Sequence, residues 1–148
     1  MKNPDFNISF IVDQSAHEVF AAVTSVNAWW SEDLEGSSVK LNDEFIYRHG
    51  DIHYSKHKLI EVEQDEKVVW LTTDCNLNFV QKPDEWTGTK MIFEILKEGD
   101  KSRLIVTHEG LVQELECFEA CSEGWTYYLK DSLLPLIITG KGNPDKKI

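Results

Sequence analysis

The feature that most constrains this chain is its last amphipathic stretch, "CSEGWTYYLKDSLLPLIITGKG", residues 121 to 142. With the preceding "ELECFEA" it sets Phe118, Cys121, Trp125, Tyr128, Leu129, Ser132 and Leu136 at steps of three and four, which stacks them on one face of a long helix. Tyr127, Lys130 and Asp131 fall toward the other side. A helix with one broad apolar face must bury it against a second layer, so the rest of the chain has to supply that layer. Pro135 has no N–H for the carbonyl of Asp131, and its ring clashes there, which predicts a bend in the final turns. Gly124 is expected where the helix passes close to its partner layer or bends, and Gly140 as the C-cap.

The second layer is legible upstream. "FNISFIV" alternates Phe6, Ile8, Phe10 and Val12, the period of a half-buried strand. In "DQSAHEVFAAVTS" Ser15 is an N-cap, Glu18 completes a capping box, and Val19, Phe20 and Val23 form the apolar face of a short helix. "VNAWWSED" adds a brief helical turn or loop. From residue 37 to 109 the pattern is strands parted by turns. "EFIYRHG" alternates Phe45, Tyr47 and His49, and "YSKHKLIEVEQ" runs through "QDEK" into "VVWLTTD". The clearest hairpin is "KMIFEILK" with "SRLIVTHEG" about Gly99 and Asp100, placing Met91, Phe93 and Ile95 opposite Leu104, Val106 and His108. Residues 75 to 88 read as a long excursion between strands. The predicted fold class is α+β in one domain, 1–148: a curved antiparallel sheet of about six to seven strands, two short helices after the first strand, and a long C-terminal helix.

Charge narrows the partners. A formal net charge of −11 repels phosphate backbones and anionic lipid surfaces, so neither nucleic acid nor membrane insertion is expected. No apolar run approaches the ~20 residues that span a bilayer and no secretory leader is recognisable, which predicts a cytoplasmic protein. Cys75, Cys117 and Cys121 have no disulfide-framework spacing. Cys117 and Cys121 lie four apart on the helix, and without a further Cys or His close in sequence they read as buried thiols rather than metal ligands. No P-loop, G-x-S-x-G or dinucleotide glycine pattern occurs, and no cofactor is expected. Glu114, Glu116, Glu119 and Glu123 suit the positive end of the last helix as a solvated face.

The blocks "HEVFAAVT", "WW" at 29 and 30, "LNDEFIY", "LIEVEQDEKVVW", "GTKMIFEI", "SRLIVTHEGL" and "GWTYYLKDSL", in that order, resemble the SRPBCC superfamily of START-like helix-grip proteins. Within it the chain looks most like the activator of heat-shock-protein-90 ATPase homologue-like family. "NDEF" stands where that family usually has a Gly-Gly-x-Phe-like turn, so Phe45 is retained and the glycines are not. The resemblance implies a sheet wrapped on the terminal helix around an apolar cavity, with lipids, polyketides or aromatic compounds as ligands. It does not carry over direct chaperone activation, which in the family's namesake depends on a separate N-terminal domain. Fold alone does not decide function.

On that architecture the inward side of the helix offers Cys121, Trp125, Tyr128 and Ser132, and the sheet offers Tyr47, His49, Trp70, Thr72, Met91, Phe93 and His108. The expected ligand cavity is lined by Tyr47, Trp70, Met91, Phe93, His108, Cys121, Trp125, Tyr128 and Ser132. Rings and thioethers at such spacing also serve as core, and Met91 and Phe93 read that way first. His108, with an ordinary pKa near 6.5, is the candidate general acid or base, although no oriented partner is visible. In "HGDIHYSKH" the residues His49, Asp51, His53 and His57 read as a solvated hairpin rather than a metal site. Three functions stay open: binding of a hydrophobic small molecule, a cyclase- or hydrolase-like enzyme using His108 and Tyr128, and a cochaperone-like interaction domain. A monomer and a homodimer are both compatible with an open sheet edge.

Overall fold

The computed structural model describes residues 5–112 and 115–145; Glu114 lies outside them. β1 (Phe6–Val12) leads to helix α1 (Ala16–Thr24) and a 3-10 turn (Val26–Ala28). Ser15 Oγ accepts from the Glu18 N–H at 3.2 Å, as an N-cap should, and donates to the Glu18 carboxylate at 3.4 Å. β2 (Glu35–Gly36), β3 (Glu44–His49), β4 (His53–Glu63), β5 (Lys67–Leu77), β6 (Lys90–Glu98) and β7 (Lys101–Glu109) come next.

These strands form one seven-stranded antiparallel sheet in the order β1-β7-β6-β5-β4-β3-β2. The hairpin about Gly99, whose φ is 66°, pairs Met91 with His108, Phe93 with Val106 and Ile95 with Leu104. All six of these side chains are buried. Because β1 and β2 occupy opposite edges, the connection between them must cross the sheet. It carries Trp29 and Trp30 into the interior, where both are almost completely buried.

The terminal helix is α2 (Phe118–Tyr128), a π turn (Leu129–Leu133) and α3 (Leu134–Thr139), ending at Gly140 with φ 86° and a bond from its N–H to the Leu136 carbonyl. The disturbance predicted for Pro135 takes the form of this wide turn just before it. A π turn holds more residues than an α turn and rotates the face of the next turns relative to the earlier ones. The buried face therefore continues from Leu129 through Ser132 and Leu133 to Ile137, and the expected Leu136 is only partly buried.

The Asp131 carbonyl, which Pro135 cannot serve, accepts instead from Asn143 Nδ2 at 2.8 Å. Ser132 Oγ donates to the Trp29 carbonyl at 2.6 Å and accepts from the Asn143 N–H at 2.8 Å. The tail then pairs with the segment after the tryptophans: Asp145 N–H bonds the Trp30 carbonyl and Glu32 N–H bonds the Asp145 carbonyl, each at 2.9 Å. At Gly142 an added Cβ would lie 2.4 Å from the Ala28 carbonyl oxygen. Gly142→Ala is expected to lower stability by about 1–3 kcal/mol through this overpacking, measured by urea denaturation. An unchanged midpoint would show that the tail does not pack against Ala28.

Candidate functional site

All five tryptophans join one ring cluster between sheet and helix. Trp30 lies parallel to Trp70, with centroids 5.9 Å apart and an interplanar angle of 5°. It stacks on Tyr47 at 4.1 Å and meets Trp125 at 4.8 Å. Trp125 stacks on Trp86 at 5.7 Å. Trp70 also packs on Phe93 at 4.9 Å and Phe45 at 4.9 Å. The volume between the layers is thus largely taken up by rings.

Among the described residues a ring-lined cleft of about 110 Å³ opens beside α2, smaller than the more polar or more open hollows elsewhere on the surface. Trp30, Trp86, Trp125, Tyr128, Phe79 and His53 line it, along with Ala120, Cys121 and Gly124 on the helix. Of the residues expected around a cavity, Cys121, Trp125 and Tyr128 border this cleft. Tyr47, Trp70, Met91, Phe93, His108 and Ser132 do not: they are buried in the packed interior. Trp86 and Phe79 enter from the segment between β5 and β6. That segment is clamped to the start of α2, because the Glu85 carboxylate accepts from the Glu116 and Cys117 N–H groups at 3.0 and 3.1 Å. In return the Glu116 carboxylate accepts from the Gln81 N–H at 2.7 Å. Gly124 does not mark a close approach. A Cβ there would meet nothing within 4 Å.

His108 is fully enclosed and both its nitrogens are engaged. Trp125 Nε1–H donates to Nδ1 at 3.0 Å, so the ring proton sits on Nε2, 2.8 Å from Thr89 Oγ1, which donates to the Trp86 carbonyl at 2.6 Å. Burial holds its pKa down at about 3. Tyr128 does not meet it; the Tyr128 hydroxyl donates to Asp145 Oδ2 at 2.7 Å. Tyr47 donates to the same oxygen at 2.9 Å, and the two hydroxyls are 3.1 Å apart. Desolvation raises the pKa of both phenols, so they remain neutral donors. The acid–base pair expected of His108 and Tyr128 is therefore not assembled, since the rings serve separate networks.

The solvated reading of "HGDIHYSKH" holds for His49, which is exposed, and fails for His57, which is fully buried, while His53 is half-buried. β4 already begins at His53, and its odd positions 55, 57 and 59 face inward. His53 Nε2 and His57 Nε2 lie 2.9 and 2.8 Å from Ser55 Oγ, and His57 Nδ1 lies 3.2 Å from Thr72 Oγ1. One proton per hydroxyl and per neutral ring allows this string to run in either of two directions. Desolvation, with the neighbouring histidines, pushes His57 well below its ordinary pKa and His53 to about 3. Among the described residues no group of three or more His, Cys, Asp or Glu converges to hold a metal. Cys117 and Cys121 are buried free thiols. The hydrogen bond between them, then burial, raises the Cys117 pKa.

The family model for Activator of Hsp90 ATPase homolog 1-like protein matches residues 13–136. The chain belongs to that family. Among solved structures, the Aha1 dimer from Colwellia psychrerythraea superposes on this Aha1-like domain with a TM-score of 0.74 at 18% identity, covering 93% of this chain and 98% of that one. CalU16 from Micromonospora echinospora gives 0.63 at 18% identity over 90% and 74%. DynU16, a protein in the dynemicin biosynthetic locus, gives 0.66 at 16% over 97% and 52%. At such identities the likeness is one of fold. No curated protein matches the Aha1-like chain. Among the described residues no helix is long and apolar enough to cross a membrane.

Two buried histidines, His57 and His108, and the half-buried His53 give this domain a pH signature. Their folded pKa values lie below the unfolded value of about 6.5, so the unfolded chain takes up protons first as pH falls. Stability should be full above about pH 6.5 and decline toward about pH 3, by at most about 1.4 kcal/mol per histidine per pH unit. Between about pH 6.5 and 4.5, above the ordinary carboxylate range, the loss belongs to the histidines. Urea midpoints across that window should fall steadily, and a flat profile would contradict neutral, buried imidazoles.

Proposed function

We propose that this Aha1-like domain binds a small hydrophobic molecule, about one ring in size, in the cleft between α2 and the segment between β5 and β6. The observation that carries this reading is Gly124. A glycine inside a helix costs roughly 1 kcal/mol relative to alanine, and here no neighbour occupies the space a side chain would take. The cost is offset by nothing in the packing, and its effect is to keep the cleft wall open. Rings supply most of that wall, and His53 and Tyr128 are the polar groups with apolar bodies at its side.

Size limits the ligand. An apolar cavity of about 150 Å³ takes up benzene, and sites for drug-sized molecules run from about 300 Å³ upward. The cleft, at about 110 Å³, suits one ring or a branched alkyl group, and is too small for the lipids and polyketides that the superfamily resemblance suggests. The occurrence of DynU16 in a biosynthetic locus is in keeping with a small-molecule role for this fold. Toluene, titrated calorimetrically into the whole chain, is the simplest probe. Gly124→Ala should raise stability by about 1 kcal/mol, and Gly124→Leu should remove toluene binding with the fold intact. Undiminished binding by a folded Gly124→Leu protein, or no binding by the unaltered one, would contradict the proposal.

A further inference from the structure

Resting on that reading, we infer that the cleft is built for a quaternary ammonium group, a methylated cation of trimethylammonium size on a small molecule, in preference to a neutral hydrocarbon of the same shape. Five of its lining side chains are aromatic: Trp30, Phe79, Trp86, Trp125 and Tyr128. Aromatic rings attract cations through the negative quadrupole of their faces, and the attraction grows when water is excluded. No Lys or Arg is among the described lining residues. His53, the imidazole there, is flanked by Tyr47 at 5.0 Å and Trp86 at 4.7 Å and held neutral by desolvation.

The electrostatics around the rings point the same way. The Tyr128 hydroxyl donates to Asp145 Oδ2 at 2.7 Å, and Tyr47, which donates to the same oxygen at 2.9 Å, stacks on Trp30. A phenol that donates to a carboxylate carries a more electron-rich ring, and the carboxylate itself lies at the outer end of the Tyr128 side chain. The start of α2, whose positive end would oppose a cation near Ala120 and Cys121, is capped by the Glu85 carboxylate at the Glu116 and Cys117 N–H groups. The net charge of −11 draws cations toward the molecule and repels anions. A bare ammonium needs three hydrogen-bond acceptors, and the lining provides few. A fully methylated one needs none.

Choline and its neutral isostere 3,3-dimethylbutan-1-ol, titrated calorimetrically into the whole chain, separate charge from shape. Choline should bind at least tenfold more tightly, and its advantage should shrink as salt is raised. Asp145→Asn keeps an acceptor for the tyrosines while removing the charge. It should weaken choline severalfold and leave the alcohol unchanged, and Gly124→Leu should abolish both. Equal or tighter binding of the alcohol overturns the cationic assignment while the hydrophobic site stands. An equal loss of both compounds in Asp145→Asn also counts against it, because that loss reports packing rather than charge. Failure of choline, the alcohol and toluene alike removes the site and the inference together.

Discussion

The indole of Trp30 is parallel to Trp70, stacks on Tyr47, touches Trp125, and joins the sheet to the terminal helix through rings alone. Aromatic pairs of this kind add about 0.5–1.5 kcal/mol each beyond their area burial, and Trp30 makes several. Its position is a consequence of topology. The chain must travel from β1 at one edge of the sheet to β2 at the other, and the double tryptophan sits on that crossing. Once the rings are in place, little of the space between the layers is left, and Gly124 leaves one wall of the cleft without a side chain.

Polar groups inside such an interior must find partners or lose their charge. His108 does both, receiving the Trp125 indole N–H and donating to Thr89. His53 and His57 share Ser55 in the same manner. These are positioning bonds. They hold Trp125 at the cleft and fix the register of β4 against β5, which shifts near Lys56 and His57. The tail contributes on the other side, tying Tyr47 and Tyr128 to one carboxylate and giving the π turn the hydrogen bond that Pro135 denies it.

Legibility in the sequence tracks the length of the periodic runs. The strands from β3 to β7, the hairpin at Gly99 and the inward face of α2 all announce themselves by alternation or by steps of three and four. That signal holds through Leu129 and Ser132 and breaks after them, because the π turn displaces the next buried position from Leu136 to Ile137. His57 looks solvated because it lies near a turn, and only the strand boundary at His53 reveals its parity. The clustering of Trp29 and Trp30 over the sheet depends on which edges β1 and β2 occupy. The meeting of Asp145 with Tyr47 joins residues 98 apart. Neither long-range fact has a local signature. The helix face that carries Cys121, Trp125 and Tyr128 is therefore readable from spacing, whereas periodicity cannot say that Met91, Phe93 and His108 are sealed beneath packed rings.

Two regions of the ring cluster differ in one physical respect: Trp29 and Trp70 are buried away from the cleft, whereas Trp30, Trp86 and Trp125 line it. Xenon enters apolar cavities without need of charge or hydrogen bonds, and the five indole N–H resonances report each tryptophan separately. Under xenon pressure the Trp30, Trp86 and Trp125 signals should shift together, with Trp29 and Trp70 unmoved. Shifts at Trp29 and Trp70, or none at the cleft, would contradict this division of the interior.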